Sequence, residues 1–81
     1  MTIKFASGFE IAKFSDLRFD GMCAEIRFNG IPIAEINKDK GLSMLEIEVP
    51  SPFSPDEAQF VFPLSDFLEV LLEVENLICD W

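Results

Sequence analysis

The 81-residue sequence contains no histidine and no tyrosine. Without histidine, neither a Ser–His nor a Cys–His nucleophile can be assembled, and no side chain ordinarily exchanges a proton near neutral pH. Cys/His metal spacing, a glycine-rich phosphate loop and an aspartate-rich calcium loop are also missing. Two acidic pairs share a face, Glu46 with Glu48 and Glu69 with Glu73, but both are expected to face solvent, where carboxylates are not activated for acid–base catalysis. We therefore expect no enzyme and no cofactor or metal.

Long apolar runs are missing as well. The longest stretch without a charged residue runs only from Ala58 to Ser65, which is too short to span a bilayer. The N-terminus lacks the basic start, apolar run and cleavage site of a secretory signal. The two cysteines, Cys23 and Cys79, exclude a disulfide-dense scaffold and are expected to be small buried side chains. We expect a single domain over residues 1–81, located in the cytoplasm, with no membrane partner.

Positive charge is missing from half of the chain. Residues 1–40 contain six bases and six acids, whereas residues 41–81 contain nine acids and no base, so the whole formal charge of −9 lies in the second half. Because 49% of the residues are hydrophobic, this acidity does not indicate disorder. Such a field attracts a basic partner and repels nucleic acid and anionic membranes. A nucleic-acid partner is therefore not expected.

The first part of the chain has the period-2 pattern of short strands around the turn Ser7-Gly8. A three-residue loop over residues 6–8 would pair Phe5 with Phe9 and Ile3 with Ile11 on one face, with Gly8 in the left-handed conformation. A two-residue loop would instead place Phe5 opposite a glutamate. The apolar pattern favours the three-residue loop.

The strand at residues 24–28 ends at Asn29-Gly30, the strongest short-range signal for a hairpin. A two-residue turn would place Ile31, Ile33 and Glu35 on the face of Ala24, Ile26 and Phe28. A three-residue turn with a bulge at Gly30 would place Pro32, Ala34 and Ile36 there. We favour the second register because it keeps Glu35 out of the core, although it leaves Ile31 and Ile33 on the outer face.

The second half continues with a strand at residues 45–49, in which Glu46 and Glu48 form an acidic outer face. The proline-rich segment 50–55 excludes regular structure, and a short strand near residues 58–62 is expected to follow it. From Leu64 onward the pattern has the helical period of 3.6 residues, with Ser65 as the expected N-cap.

The helix is amphipathic. Its polar stripe consists of Asp66, Glu69, Glu73, Asn76 and Asp80, and its apolar arc of Leu64, Phe67, Leu68, Leu71, Leu72, Val74 and Ile78. Glu75 is the exception, since it lies near the middle of the apolar arc. Together the patterns predict an α+β fold, in which an antiparallel meander sheet of about five short strands carries one C-terminal amphipathic helix on one face.

Four segments carry a resemblance to a known group of proteins: residues 24–30 (AEIRFNG), 33–36 (IAEI), 45–48 (LEIE) with Gly41 before them, and 64–69 (LSDFLE). Over most of residues 22–72 the chain resembles the small bacterial immunity proteins encoded beside polymorphic toxins of contact-dependent growth inhibition and related systems. The resemblance implies a non-enzymatic cytoplasmic monomer that forms a one-to-one complex with one cognate toxin, often a nuclease.

A nuclease has a basic surface for its phosphate substrate, and an acidic protein can cover that surface. The residues expected to contact the toxin are Glu46, Glu48, Phe53, Asp56, Glu57, Asp66, Glu69 and Glu73. Phe53, between prolines, is the expected apolar anchor. Two alternatives stay open. The chain could be an acidic nucleic-acid mimic that inhibits a host DNA-binding protein, or a non-catalytic adaptor subunit with an interface at Ile31, Ile33 and Phe53.

Overall fold

Five strands and one helix follow one another along residues 2–57 and 59–81, the part of the chain that the structure, a computed structural model, describes. The elements are β1 (Thr2–Lys4), β2 (Phe9–Ser15), β3 (Met22–Phe28), β4 (Ile31–Asn37), β5 (Glu46–Glu48) and α1 (Leu64–Ile78). The strands are antiparallel and adjacent in chain order, so the sheet is a meander. The predicted α+β architecture is confirmed.

The first hairpin has the predicted register. Ile3 pairs with Ile11, and the Phe5 N–H donates to the Phe9 carbonyl at 2.9 Å. Gly8 has φ of 100°, a conformation that side chains with a Cβ rarely adopt. A Cβ on Gly8 would lie 2.5 Å from the Asn29 side-chain oxygen, and the Asn29 N–H donates to the Gly8 carbonyl at 2.9 Å. The turns of the β1–β2 and β3–β4 hairpins are therefore in direct contact.

The β3–β4 hairpin has the favoured register in its central part, where Ala24 pairs with Ile36 and Ile26 with Ala34. Glu35 consequently points away from the face that carries α1. Its side chain is nevertheless only 1% exposed. The sequence pattern placed this residue on the correct face but gave no sign that it would be buried there.

The extra residue of this hairpin is not at Gly30. The turn itself is tight, since Phe28 pairs directly with Ile31, and Asn29 and Gly30 both have positive φ, as a two-residue hairpin turn requires. The register shifts instead between Ile26 and Arg27, so the extra residue on β4 is Ile33. Because of this bulge Ile33 is buried in the core, and its predicted place on the outer face was wrong. Ile31 is exposed, but it pairs directly with Phe28 and so lies on that residue's face, which also differs from the prediction.

The helix lies over β2 and β3 and buries Val70, Val74 and Ile78 against the core. It begins at Leu64, with Pro63 at the N-cap position and without a side-chain capping bond. The predicted N-cap at Ser65 was therefore wrong, because that residue already lies in the first turn.

Part of the apolar arc of α1 does not pack on the sheet. Leu64, Leu68 and Leu72 are 70%, 49% and 62% exposed. They lie on the helix surface next to the buried row of Val70, Val74 and Ile78. No described residue covers them fully there. The apolar arc is thus wider than the contact that one helix makes with this sheet.

The segment before α1 packs on the core without forming a strand over residues 59–62, so the predicted strand there was wrong; Ala58 lies outside the described residues. Phe60 and Phe62 contact the core, while Val61 between them is 91% exposed. The alternation in the sequence reflects a segment with one buried side. It does not reflect pairing with a neighbouring strand.

Residues near the C-terminal end of α1 contact two lysines. Lys38 Nζ donates to the Ile78 carbonyl at 3.2 Å and to the Trp81 carbonyl. Lys13 Nζ lies 5.7 Å from the centre of the Trp81 ring. Cations in these positions stabilise the negative end of the helix and the face of the indole.

Candidate partner-binding surfaces

Arg18 joins three carboxylates on the outer face, the name used here for the sheet face opposite α1. Its Nη2 lies 2.9 Å from Asp16 Oδ2, 3.1 Å from Glu35 Oε2 and 2.9 Å from Glu48 Oε1. The Arg18 N–H also donates to Asp16 Oδ1 at 2.9 Å, which fixes the loop after β2. One guanidinium thereby ties this loop to β4 and β5.

The electrostatics of this Arg18 cluster differ from carboxylate to carboxylate. Hydrogen bonds from Arg18 hold the pKa of Asp16 well below its usual range. Burial, together with the neighbouring Asp16 carboxylate, raises the pKa of Glu35 to about 7. Glu35 Oε1 is buried and has no hydrogen-bond partner among the described residues. One guanidinium thus faces three carboxylates, so the net charge of the cluster is negative.

Two further ion pairs lie on the outer face. Arg27 Nε is 2.6 Å from Glu25 Oε1, and Lys40 Nζ is 2.9 Å from Glu46 Oε2. Glu46 and Glu48, both predicted to contact a partner, are therefore each paired with a base from residues 1–40. They remain exposed, but their charges are already opposed by neighbouring cations.

The acids of α1 have a different environment. Asp66, Glu69 and Glu73 lie on the side of the helix towards β1, where Asp66 and Glu69 border a depression beside the first turn. Within residues 2–57 and 59–81, no lysine or arginine forms an ion pair with these three acids. Their charge is uncompensated.

The proline-rich loop carries three of the predicted contact residues, of which Phe53 packs against the outer face. Phe53 is 56% exposed, and its ring centre lies 6.0 Å from that of Phe14, a residue of the outer face. Asp56 and Glu57 are exposed further along the loop. The Ser54 hydroxyl donates to the Pro32 carbonyl at 2.6 Å and so holds the loop against β4.

The eight predicted contact residues are consequently not brought into one surface. Glu46, Glu48 and Phe53 belong to the outer face, whereas Asp66, Glu69 and Glu73 lie on α1 on the opposite side of the sheet. A single flat contact cannot include both groups.

Sequence reasoning missed an apolar surface beside α1. A groove lies between α1 and the edge strand β5, and it is lined by Ile36, Leu45, Glu46, Ile47, Leu71, Val74 and Glu75. The exposed Leu68 and Leu72 are helical neighbours of Leu71 and Glu75 in that lining. A signal was present in the prediction itself, since one helix is about 10 Å wide and covers only about two strands of a five-stranded sheet.

The part of the chain that is described holds two thiols and one helix. Its Cys, Asp and Glu side chains form no group of three or more that could hold a metal ion. Both thiols are free. Cys23 is buried, and burial raises its pKa, whereas Cys79 is exposed, contrary to expectation. None of the helices described here has the length and apolar character needed to cross a membrane.

No protein-family model, curated protein or solved structure matches the chain.

Proposed function

We propose that this protein is a non-catalytic immunity protein that binds a nuclease toxin and neutralises it by covering its basic substrate surface. The observation that carries the proposal is the unequal pairing of the acids. Carboxylates on the outer face have cations beside them, and those of α1 do not. The helix therefore presents an anionic surface whose carboxylates form no ion pair with any described residue of the chain.

Five of the six bases contact other groups, and the sixth, Lys4, forms no ion pair with a described residue. Arg18, Arg27 and Lys40 pair with acids of the outer face, while Lys13 and Lys38 contact the C-terminal end of the chain. Among the described residues, no ion pair reaches the acids that follow the proline-rich loop's Phe53: Asp56, Glu57, Asp66, Glu69, Glu73, Glu75 and Asp80. Their mutual repulsion is relieved when a basic surface docks on them.

Neutralisation by this route needs no chemistry on the toxin. An acidic surface steers a basic partner during diffusion and raises the association rate constant, which suits a protein that must capture a toxin as it arrives. In this proposal Asp66, Glu69 and Glu73 form the centre of the contact, and Asp56 and Glu57 stay predicted contacts on the proline-rich loop. Glu46, Glu48 and Phe53 stay predicted as contacts of the opposite side.

The first experiment uses the protein encoded by the reading frame immediately upstream of this chain's gene as the probe. We expect it to arrest bacterial growth when expressed alone and to be neutralised when this chain is co-expressed. Purified together, the two proteins should form a one-to-one complex whose association slows as salt is raised from about 50 to about 200 mM.

Charge reversal tests the placement of the contact. Glu69→Lys combined with Glu73→Lys should lower the association rate constant at low salt by at least about tenfold, because the steering field is removed where it acts. The matched control is Asp20→Lys combined with Asp39→Lys, two exposed acids that form no ion pair among the described residues. It changes the net charge equally and should have a much smaller effect. Association insensitive to salt and to the helix variant would contradict the proposal.

A second candidate function, that of an adaptor subunit in a larger assembly, is favoured by the exposed Leu64, Leu68 and Leu72. An obligate apolar interface makes an isolated subunit self-associate. The molecular mass of the purified chain in solution separates this function from that of a monomeric inhibitor.

A further inference from the structure

The inner face of the sheet, which carries α1, is only partly covered. The helix lies over β2 and β3, and the segment with Phe60 and Phe62 covers the end of the sheet near Ile33. Beside them, at Ile36 and Ile47, a groove of about 190 Å³ stays open between α1 and β5. Its walls are mainly aliphatic, and a layered fold ordinarily buries such a surface under another element.

An exposed ridge of leucines borders this groove. Leu64, Leu68 and Leu72 follow one another at intervals of four residues, so they lie in one row along α1. Leu68 and Leu72 are the helical neighbours of Leu71 and Glu75, which line the groove itself. Rows with this spacing are the ridges that pack into the grooves of a second helix. The shape of the site therefore favours a helix lying parallel or antiparallel to α1.

Charge selects the kind of helix. Glu75 lies in the wall of the groove and is exposed, and it forms no ion pair with any base of the described residues. An entirely apolar occupant would bury this carboxylate without a counter-charge, which is strongly unfavourable. A second copy of the chain would bring its own charge of −9 and its own Glu75. The occupant must therefore carry a cation.

We propose that the groove between α1 and β5 binds a basic amphipathic helix of the partner protein. The helix lies beside α1 over β4 and β5, packs apolar side chains against Ile47, Leu68 and Leu72, and places a lysine or arginine beside Glu75. This inference rests on the proposed function for the identity of the partner, the toxin, and adds the segment by which the toxin is held. It also gives the exposed leucines a role beside the acidic stripe, since both lie on α1.

The test on the complex uses two exposed positions of the ridge. Leu68→Asp combined with Leu72→Asp should raise the Kd for the toxin by at least about thirtyfold, because charged side chains would be buried against an apolar helix face. The control that adds the same charge is Val61→Asp combined with Leu17→Asp, two exposed positions outside the groove, and it should change Kd by less than about threefold. Circular dichroism and thermal unfolding check that all variants are folded.

Glu75 gives a second readout. Glu75→Gln should weaken binding by about tenfold and reduce its dependence on salt, whereas Leu68→Asp should leave no such signature. If Glu75→Gln binds the toxin as tightly as the unaltered chain, the placement of the cation is wrong and the proposal is overturned.

A peptide arm separates failure of this inference from failure of the proposed function. The probe is a synthetic leucine–lysine helix of about 15 residues with its leucines on one face, compared with a peptide of the same composition in scrambled order. The unaltered chain should prefer the amphipathic peptide, and the Leu68→Asp, Leu72→Asp variant should lose that preference.

Each outcome decides one of the two ideas. A toxin that binds the groove variants as tightly as the unaltered chain overturns the inference and leaves the proposed function standing. A toxin that does not bind, with a peptide preference that depends on the ridge, supports the groove and overturns the proposed function. A chain that is dimeric alone and monomeric as the Leu68→Asp, Leu72→Asp variant identifies a second copy as the occupant and overturns the inference.

Discussion

Glu35 and Glu69 are the same residue type in opposite settings. Glu35 lies on β4, almost fully buried, with Arg18 3.1 Å from its Oε2. Glu69 lies on α1, exposed, and no base in the described part of the chain pairs with it. The acids of the outer face hold the fold together through shared cations, and those of the helix repel one another. The comparison separates acidity that serves stability from acidity that is available to a partner.

The largest expected effect comes from removing the shared cation. Arg18→Ala should lower the free energy of unfolding more than any other substitution described here, because it removes the hydrogen bonds that Asp16, Glu35 and Glu48 accept from one guanidinium. Urea denaturation at pH 7 measures the loss. Lys4→Ala is the control, since Lys4 is exposed and forms no ion pair with a described residue, and it should change stability by less than about 0.5 kcal/mol. Equal losses for the two variants would show that the Arg18 cluster does not support the fold.

The next effect concerns pH. The folded-state pKa of Glu35, about 7, lies above its ordinary value of 4.5, so the folded protein holds a proton that the unfolded chain releases between these values. Stability should therefore fall as pH rises through this window, by about 1–3 kcal/mol from Glu35. Asp16 acts in the opposite sense, but only as pH falls below its ordinary 3.8.

Glu35→Gln tests this contribution, because glutamine keeps an oxygen for Arg18 and has no proton to lose. The variant should be more stable than the unaltered chain at pH 8 and nearly flat between pH 5 and 8, as measured by chemical denaturation at each pH. The other groups facing Glu35 are Asp16, Glu48, Arg18 and Cys23, and all are retained in the variant. An unchanged pH profile would show that Glu35 does not carry the effect.

The smallest effect on stability is expected on the helix. Glu69→Lys combined with Glu73→Lys should leave the free energy of unfolding unchanged or raise it by up to about 0.5 kcal/mol, because repulsion is relieved and no pairing is lost. Thermal unfolding at low salt is the measurement. A loss of more than about 1 kcal/mol would mean that these acids support the fold and would remove the contrast with the outer face.

The alternation of apolar residues was enough to predict the registers of Ile3 with Ile11 and of Ala24 with Ile36. The same alternation does not encode the position of a bulge, so the burial of Ile33 was missed. The burial of Glu35 depends on Arg18, 17 residues away in the chain, and no local pattern reports that contact.

The candidate site was predicted less well than the fold, for a related reason. The sequence identified the acids, but it could not say which of them meet a base, because the bases for Glu46 and Glu48 come from other elements. It also identified the apolar arc of α1, but it could not show that the helix covers only two of the five strands. Leu68 and Leu72 were therefore assigned to the core, and their exposure required the structure.

The contact between Gly8 and Asn29 has a consequence for how this fold can diverge. A side chain at position 8 would collide with the amide oxygen of residue 29, and the backbones of the two turns are hydrogen-bonded to each other. Glycine at position 29 would remove the collision but not the strain of φ at 100°, so position 8 should stay glycine whatever residue the second turn carries. A glycine kept at this turn would mark distant descendants of the same ancestor even where the acidic surfaces have been replaced.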